Sequence, residues 1–437
     1  MEIGLSRKLK FTRLIAITMG TPLASSVFLS ITLICLTAGS LTNLIVGIVI
    51  STALVIMVSL SFGELVSIYP SAAGNRVFLK RPFGDSFALG FSIMWVLIIL
   101  GAAGVESFMV GNVLYFIFGT IPPIFWAIII LTIILIINIL GVEISGNFQL
   151  IVTFFVALSL ISVFIFSIFF VKTNYSQIPQ SFNFISALSS SVIAVYFFLG
   201  FSRVTTLGEE AIDYKKGIPR AMPIALSIVS IPFILGSIAI YEHVPIEILK
   251  TTYIPQIVLG NFILKGTPIS LFIAVISVIM SFSAFNAGIL GTSRLIYALG
   301  REGTFPKFLG AIHLRFHTPY ASLIFLYVIV LLIVVYIFIT GNYSLPILVA
   351  AGVESFMNAL TSYSALWHYR KIEKTNIPFR VKGGNIIFSI TSASYILLGI
   401  LLLLTSPIEV SLIIIFGTLV LVVFYYFFIR RKNSMHN

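Results

Sequence analysis

Four ionisable residues, Glu64, Glu106, Arg203 and Glu354, stand inside or at the ends of long apolar runs. A charge in such a place costs about 2.5–3.5 kcal/mol even on the lenient membrane-insertion scale, so a functional role is the default expectation. Glu106 and Glu354 could hold an ammonium group or another cation. Arg203 keeps its charge at any accessible pH, so it must either receive a substrate carboxylate or balance the two glutamates. Glu64 lies near the end of its run, where its plainer reading is a side chain reaching the interface. Little else suggests chemistry. His313 and His317 have the i, i+4 spacing of a metal pair but sit in a basic loop before Pro319 without a third ligand. The single cysteine, Cys35, excludes a disulfide framework. With no nucleophile–base pairing, phosphate-binding loop or metal cluster in the sequence, neither an enzyme nor a bound cofactor or metal is expected.

Two apolar runs are interrupted. The first contains Met19-Gly20-Thr21-Pro22-Leu23-Ala24-Ser25-Ser26, and a later one contains Leu199-Gly200-Phe201-Ser202-Arg203-Val204-Thr205-Thr206. Pro22 removes a backbone donor and its ring clashes with the preceding turn. Non-helical backbone at membrane depth is tolerated only where protein or a water-filled cavity surrounds it. The freed donors, acceptors and helix ends form a site for a zwitterion or ion. A simple kink, or close packing through small residues, is the plainer alternative. The interruptions fall five runs apart, and an odd repeat of five must invert between copies, as in many transporters.

The elements that position these residues are set by composition. Of 437 residues, 59% are hydrophobic and 9% charged, against about 25% charged in a soluble chain. Most of the surface must therefore face lipid. Twelve segments are long enough for helical spans of about 20 residues: 12–38, 41–67, 86–117, 123–141, 148–171, 187–212, 219–241, 267–297, 319–340, 344–368, 385–405 and 408–429. They do not alternate as barrel strands would. Lys and Arg orient them. Only Lys172, Lys250 and Lys265 fall on the expected outer loops, and Arg203 lies within a span. The rest of the 26 basic residues lie on the two termini and the inner loops. This placement predicts a multi-pass protein of the cell membrane with both termini cytoplasmic. The net charge of +12 is thereby explained without nucleic acid. Ala102 to Met109 recurs unchanged as Ala350 to Met357, in spans of opposite direction, so the copies are not inverted-repeat equivalents.

Three stretches carry a resemblance. Ser61-Phe62-Gly63-Glu64-Leu65, continuing from Tyr69 to Gly84, resembles the span-two exit of the amino acid–polyamine–organocation permeases. Phe198 to Phe201, Gly208-Glu209-Glu210 and Gly217 to Ala221 are similar to that family's span six and the loop after it. Gly291 to Gly303, with Pro306-Lys307 and Thr318-Pro319, is similar to its span-eight exit.

The resemblance implies an all-α integral membrane fold of twelve transmembrane helices, built as a leucine-transporter-like five-plus-five inverted repeat with broken helices 1 and 6. The first repeat is then 1–171, the second 187–368, and 385–429 adds two helices to the single transporter domain. The resemblance also implies a secondary permease for amino acids or related amines, working by alternating access. Its family binds the substrate carboxylate with a Gly-rich span-one motif, whose counterparts here are Ala24, Ser25 and Ser26, after Gly20. Span six contributes Tyr196 as an occluding aromatic, with Leu199, Gly200, Ser202 and Arg203. Ser202 stands where relatives usually carry an acidic residue. Glu106, Asn286 and Glu354 line the site from spans three, eight and ten. A lysine of proton-coupled relatives corresponds to Val156, so H+ or Na+ remain open as coupling ions. The rival readings are an organic cation or polyamine carrier, favoured by glutamates that face the cavity unpaired, and a non-transporting scaffold or receptor, in which the breaks are packing kinks. No ring of repeated charges suggests a channel.

Overall fold

A run of apolar residues in lipid must satisfy its own backbone, and the computed structural model meets this demand with helices. It describes residues 7–172, 181–263, 268–341, 343–372 and 377–424. The helices are α1 (Phe11–Gly20), α2 (Val27–Ala38), α3 (Leu41–Ile68), α4 (Asn75–Phe83), α5 (Asp85–Phe118), α6 (Pro123–Leu140), α7 (Val142–Phe170) and α8 (Phe184–Ala194). They continue with α9 (Gly217–His243), α10 (Ile246–Leu249), α11 (Pro255–Ile263), α12 (Ile269–Arg301), α13 (Tyr320–Thr340), α14 (Ser344–Lys371), α15 (Gly384–Thr405) and α16 (Ile408–Phe424). Among the described residues there is no strand, only an isolated bridge between Leu9 and Ala211. Ten helical segments are long and apolar enough to cross a membrane, with Phe184–Leu207 counted as one. Their outer faces are apolar: Ile151, Phe169, Ile339 and Leu404 are 72–78% exposed.

Local chemistry sets several ends. Ser40 caps α3 by accepting from the Asn43 N–H at 3.1 Å. Asn183 caps α8 by accepting from Ile185 and Ser186. Its own N–H reaches Asn43 Oδ1 at 2.9 Å, which ties the start of α8 to α3.

The observed elements add detail to the sequence reading in four places. The first apolar run is two helices, α1 and α2, separated by Thr21–Ser26. The sixth leaves α-geometry earlier than Gly200 suggested: Val195–Phe198 and Phe201–Leu207 are both 3-10 turns. The basic loop after α3 contains a helix, α4, too short and polar to register as an apolar run. Short helices α10 and α11 lie between α9 and α12. Residues 425–429 of the last expected span lie outside the described residues, as do Lys265, Lys374, Arg430, Arg431 and Lys432.

α5 lies at the centre, packed against α4, α6, α12, α13, α14 and α16, while α1 packs on α7, α9 and α12. The interrupted segments meet the middle of α5 and α12.

Candidate functional site

Backbone bookkeeping explains the first interruption. Leu23 N–H still reaches Met19 O, and Ala24 N–H bonds Pro22 O in a tight turn. The next donors to find helical acceptors are Val27, Phe28 and Leu29, which bond the carbonyls of Ala24, Ser25 and Ser26. Ser25 and Ser26 thus hold orphan N–H groups at the N-terminus of α2, where the helix dipole favours an anion. A carboxylate of the protein itself fills the place. Glu106 Oε1 accepts from Ser25 N–H at 2.8 Å and Oε2 from Ser26 N–H at 2.9 Å. The Ser25 and Ser281 hydroxyls also donate to Oε1, at 2.7 and 2.6 Å.

The second interruption turns on Gly200. Its φ of +81° is a left-handed conformation that suits glycine, and a Cβ there would meet Thr21 Cγ2 at 2.4 Å. The two breaks are in contact at this point. Beyond it, Arg203 is 1% exposed. Its guanidinium lies 3.2 Å from the centroid of the Trp95 ring, and Nη2 donates to Trp95 O at 3.0 Å. Nε and Nη1 have no hydrogen-bond partner. The Trp95 indole in turn donates to Glu354 Oε2 at 3.0 Å, and Glu354 Oε1 is unpartnered. An ion pair between Arg203 and Glu106 or Glu354, one of the two alternatives for its charge, is not formed. The aromatic ring takes up the cation in place of a carboxylate and links it to Glu354.

A cavity of about 50 Å³ opens between the breaks. Thr21, Pro22, Ala24, Ser26 and Val27 form one wall, and Ile99, Leu100, Ala102, Ala103 and Glu106 of α5 another. Tyr196 and Leu199 come from the second break. Ala284, Phe285, Gly288, Ile289 and Thr292 of α12, with Leu326 and Val330 of α13, complete it. Glu106 is the one charged residue among the described residues of this lining. The Tyr196 hydroxyl stands 3.3 Å from Ser26 Oγ, while Thr21 Oγ1 and the buried Thr292 Oγ1 have no partner.

Of the residues expected at the site, Ala24, Ser26, Glu106, Tyr196 and Leu199 share this cavity, and Ser25 adjoins it through Glu106. Gly20 ends α1, away from the lining, and its carbonyl accepts from Ser283 at 3.5 Å. Gly200, Ser202, Arg203 and Glu354 lie behind the wall rather than on it. Asn286 belongs to a buried amide and hydroxyl network on another face of α12. It accepts from Asn138 at 3.0 Å and donates to Gln149 at 2.8 Å, whose amide reaches Thr153 and Ser283. Val156 is buried in the apolar core. Glu64 is fully buried within the protein and accepts from Val381 N–H at 2.8 Å, ahead of α15. His313 accepts from the Arg315 and Phe316 N–H groups in a turn. Sequence reasoning missed Thr21, Ser281, Thr292 and Trp95. Ser277 and Ser281 stand at i, i+4 in an apolar helix, and that polar stripe was a usable signal.

The three resembling stretches converge where the chain enters α1. Arg294 and Glu210, both fully buried, pair at 2.6 Å. Arg301 pairs with Glu209 at 3.1 Å, and Glu209 also accepts from Ala72 N–H. Arg76 pairs with Asp85 at 3.1 Å and with Glu302. Lys8 and Leu9 N–H groups bond Glu210 O, holding the incoming chain against this cluster.

With the geometry in place, known proteins give the comparison. The family model for amino acid permease matches residues 9–433. The chain is similar to the human (Homo sapiens) cystine/glutamate transporter, 25% identical over 349 residues, covering 75% of this chain and 67% of the relative. It is similar to the low-affinity putrescine importer PlaP of Escherichia coli, 26% identical over 341 residues, covering 74% and 73%. It is also similar to the lysine-specific permease of Saccharomyces cerevisiae, 24% identical over 346 residues, covering 73% and 56%.

Proposed function

The chain belongs to the amino acid permease family, and from that premise we propose that its substrate passes through the cavity between the two interrupted segments. It is a secondary transporter of amino acids or related amines, and not an enzyme. The observation that carries the site is the meeting of both breaks at one cavity, with Glu106 at the orphan donors of α2. The scaffold reading requires packing kinks without a cavity, and the cavity argues against it. Substrate contacts the wall at Ala24, Ser26, Glu106, Tyr196 and Leu199. Ser25, Gly200, Ser202 and Arg203 hold the two breaks in shape behind it, and Gly20, Asn286 and Glu354 support the surrounding helices.

The architecture we propose has twelve spans. α1 with α2 forms the first, the ten long segments follow, and α16 is the last. Two inverted halves of five, with two further helices, would alternate access to the cavity by moving α1, α2 and the second break against the rest. The cluster around Glu210 and Arg294 would close the cytoplasmic side. Both termini would be cytoplasmic and the membrane that of the cell. Cys35 is the only cysteine and is buried, so introduced cysteines can be read against little background. Lys80→Cys should label only from the cytoplasmic side and Lys250→Cys only from outside. Labelling of Lys80→Cys from outside would reverse the orientation.

The functional test is uptake of a radiolabelled panel of amino acids and amines into proteoliposomes, with and without H+ and Na+ gradients. Accumulation or exchange of at least one compound is expected, and its response to each gradient identifies the coupling ion. A panel inert under every gradient would overturn the reading.

A further inference from the structure

The donors that would hold a substrate carboxylate at the first break are already taken. Ser25 and Ser26 N–H each bond one oxygen of Glu106, and two serine hydroxyls complete the set on Oε1. The protein thus carries its own carboxylate at the N-terminus of α2. Glu106 is also the one charge on the described lining; among the described residues no cation lines the cavity, and Arg203 is stacked on Trp95 behind the wall. A second carboxylate brought in by a substrate would meet a like charge and only hydroxyl donors. An ammonium group would meet an anion. Glu106 Oε2 accepts a single bond from the protein, which leaves room for one more donor. The rest of the wall suits an apolar body: Ile99, Leu100, Phe285 and Ile289 line it. Two buried hydroxyls on the lining, Thr21 Oγ1 and Thr292 Oγ1, lack partners there.

We infer that the cavity selects primary monoamines with an apolar body and no carboxylate, with Glu106 standing in for the missing substrate carboxylate and serving as the counter-charge. The inference rests on the proposed transport site and narrows its substrate class. A diamine is disfavoured by the same geometry, since its second ammonium finds no second carboxylate on the wall. A zwitterionic amino acid is disfavoured by its anionic end.

The test compares three compounds on the full-length protein in detergent, by displacement of radiolabelled 3-methylbutylamine. Leucine has the same body with a carboxylate added, and 1,4-diaminobutane exchanges the apolar end for a second charge. The monoamine should bind at least about ten-fold more tightly than either, the scale of one charge-assisted hydrogen bond gained or lost. Glu106→Gln keeps the size of the side chain and should weaken monoamine binding by roughly ten-fold or more. The wild-type ranking is decisive even if this variant folds poorly. Tighter binding of leucine would overturn the inference and leave the transport site standing, as would tighter binding of 1,4-diaminobutane. Binding of none of the three, together with an inert uptake panel, would overturn both. Binding of none beside an active panel would overturn the inference alone.

Discussion

Glu106 and Glu354 occupy the same place in the same eight residues, Ala-Ala-Gly-Val-Glu-Ser-Phe-Met, on two helices that pack against each other. Everything local is alike. Ser107 and Ser355, the next residues, each bond the carbonyl four back, at 2.7 and 2.8 Å. Both glutamates are buried, at 3% and 1% exposure. Yet Glu106 faces a helix N-terminus and is held by four donors. Glu354 receives one indole N–H and keeps an oxygen without a partner. The difference lies in what stands opposite. α5 presents its copy to the Pro22 break and α12, whereas α14 presents its copy to Trp95 of α5 and, through that ring, to Arg203. A glutamate inside a span reports burial; its role depends on the neighbouring helices.

The largest effect should come from truncating the two carboxylates in turn. Glu106→Ala strands the Ser25 and Ser26 N–H groups, at about 1–3 kcal/mol for each buried orphan. It should lower the melting temperature in detergent sharply and abolish uptake. Glu354→Ala strands one indole donor and should cost roughly half as much by the same reckoning. Equal losses from the two variants would erase the distinction.

The next effect concerns Arg203. Removing it takes away a desolvated cation–π contact of about 2 kcal/mol and leaves Glu354 without its neighbouring cation. A double-mutant cycle on melting temperature should therefore show coupling between Arg203→Ala and Glu354→Gln of roughly 1 kcal/mol. The same cycle with Glu106→Gln should be additive. Coupling to Glu106 alone would place the charge balance at the other glutamate.

A smaller change isolates the ring's polar role. Trp95→Phe keeps a face for Arg203 and deletes the N–H to Glu354, a bond to a charged group that contributes about 1.5 kcal/mol. The variant should melt lower while uptake persists, because Glu106 and the cavity wall are untouched. Loss of uptake at unchanged stability would tie Glu354 to transport directly.

Much of this was legible in the sequence, for reasons of length and solvent. Long apolar runs become helices because lipid offers the backbone no alternative, and Pro22 and Gly200 mark the two breaks through the chemistry of a missing donor and a left-handed turn. α4 was hidden because nine residues including Arg76, Lys80 and Arg81 look like a solvated loop. The 3-10 turn from Val195 was hidden because Val-Tyr-Phe-Phe carries no signal of tightening. The charge of Arg203 announced that it needed a partner, and its apparent choices were the other intramembrane charges. The partner it found is a tryptophan on the helix that also carries Glu106, and an aromatic within an apolar run gives no such sign. In the same way, each acidic or basic member of the Glu210–Arg294 cluster could be picked out from its stretch, whereas the pairing between stretches required the fold.

The central claim is that substrate occupies the cavity between the breaks, and Gly288 offers the most direct access to it. Gly288 lines the cavity from α12, and a Cβ built there meets only Thr21 Cγ2, at the ordinary contact distance of 3.9 Å. Gly288→Phe should therefore fill the space without disturbing the surrounding helices. The measurement is uptake of the best substrate from the panel by Gly288→Phe and wild type in parallel proteoliposomes, with melting temperature in detergent as the control for folding. Our account predicts uptake at background with melting close to wild type. Wild-type uptake by a normally folded Gly288→Phe protein would contradict it.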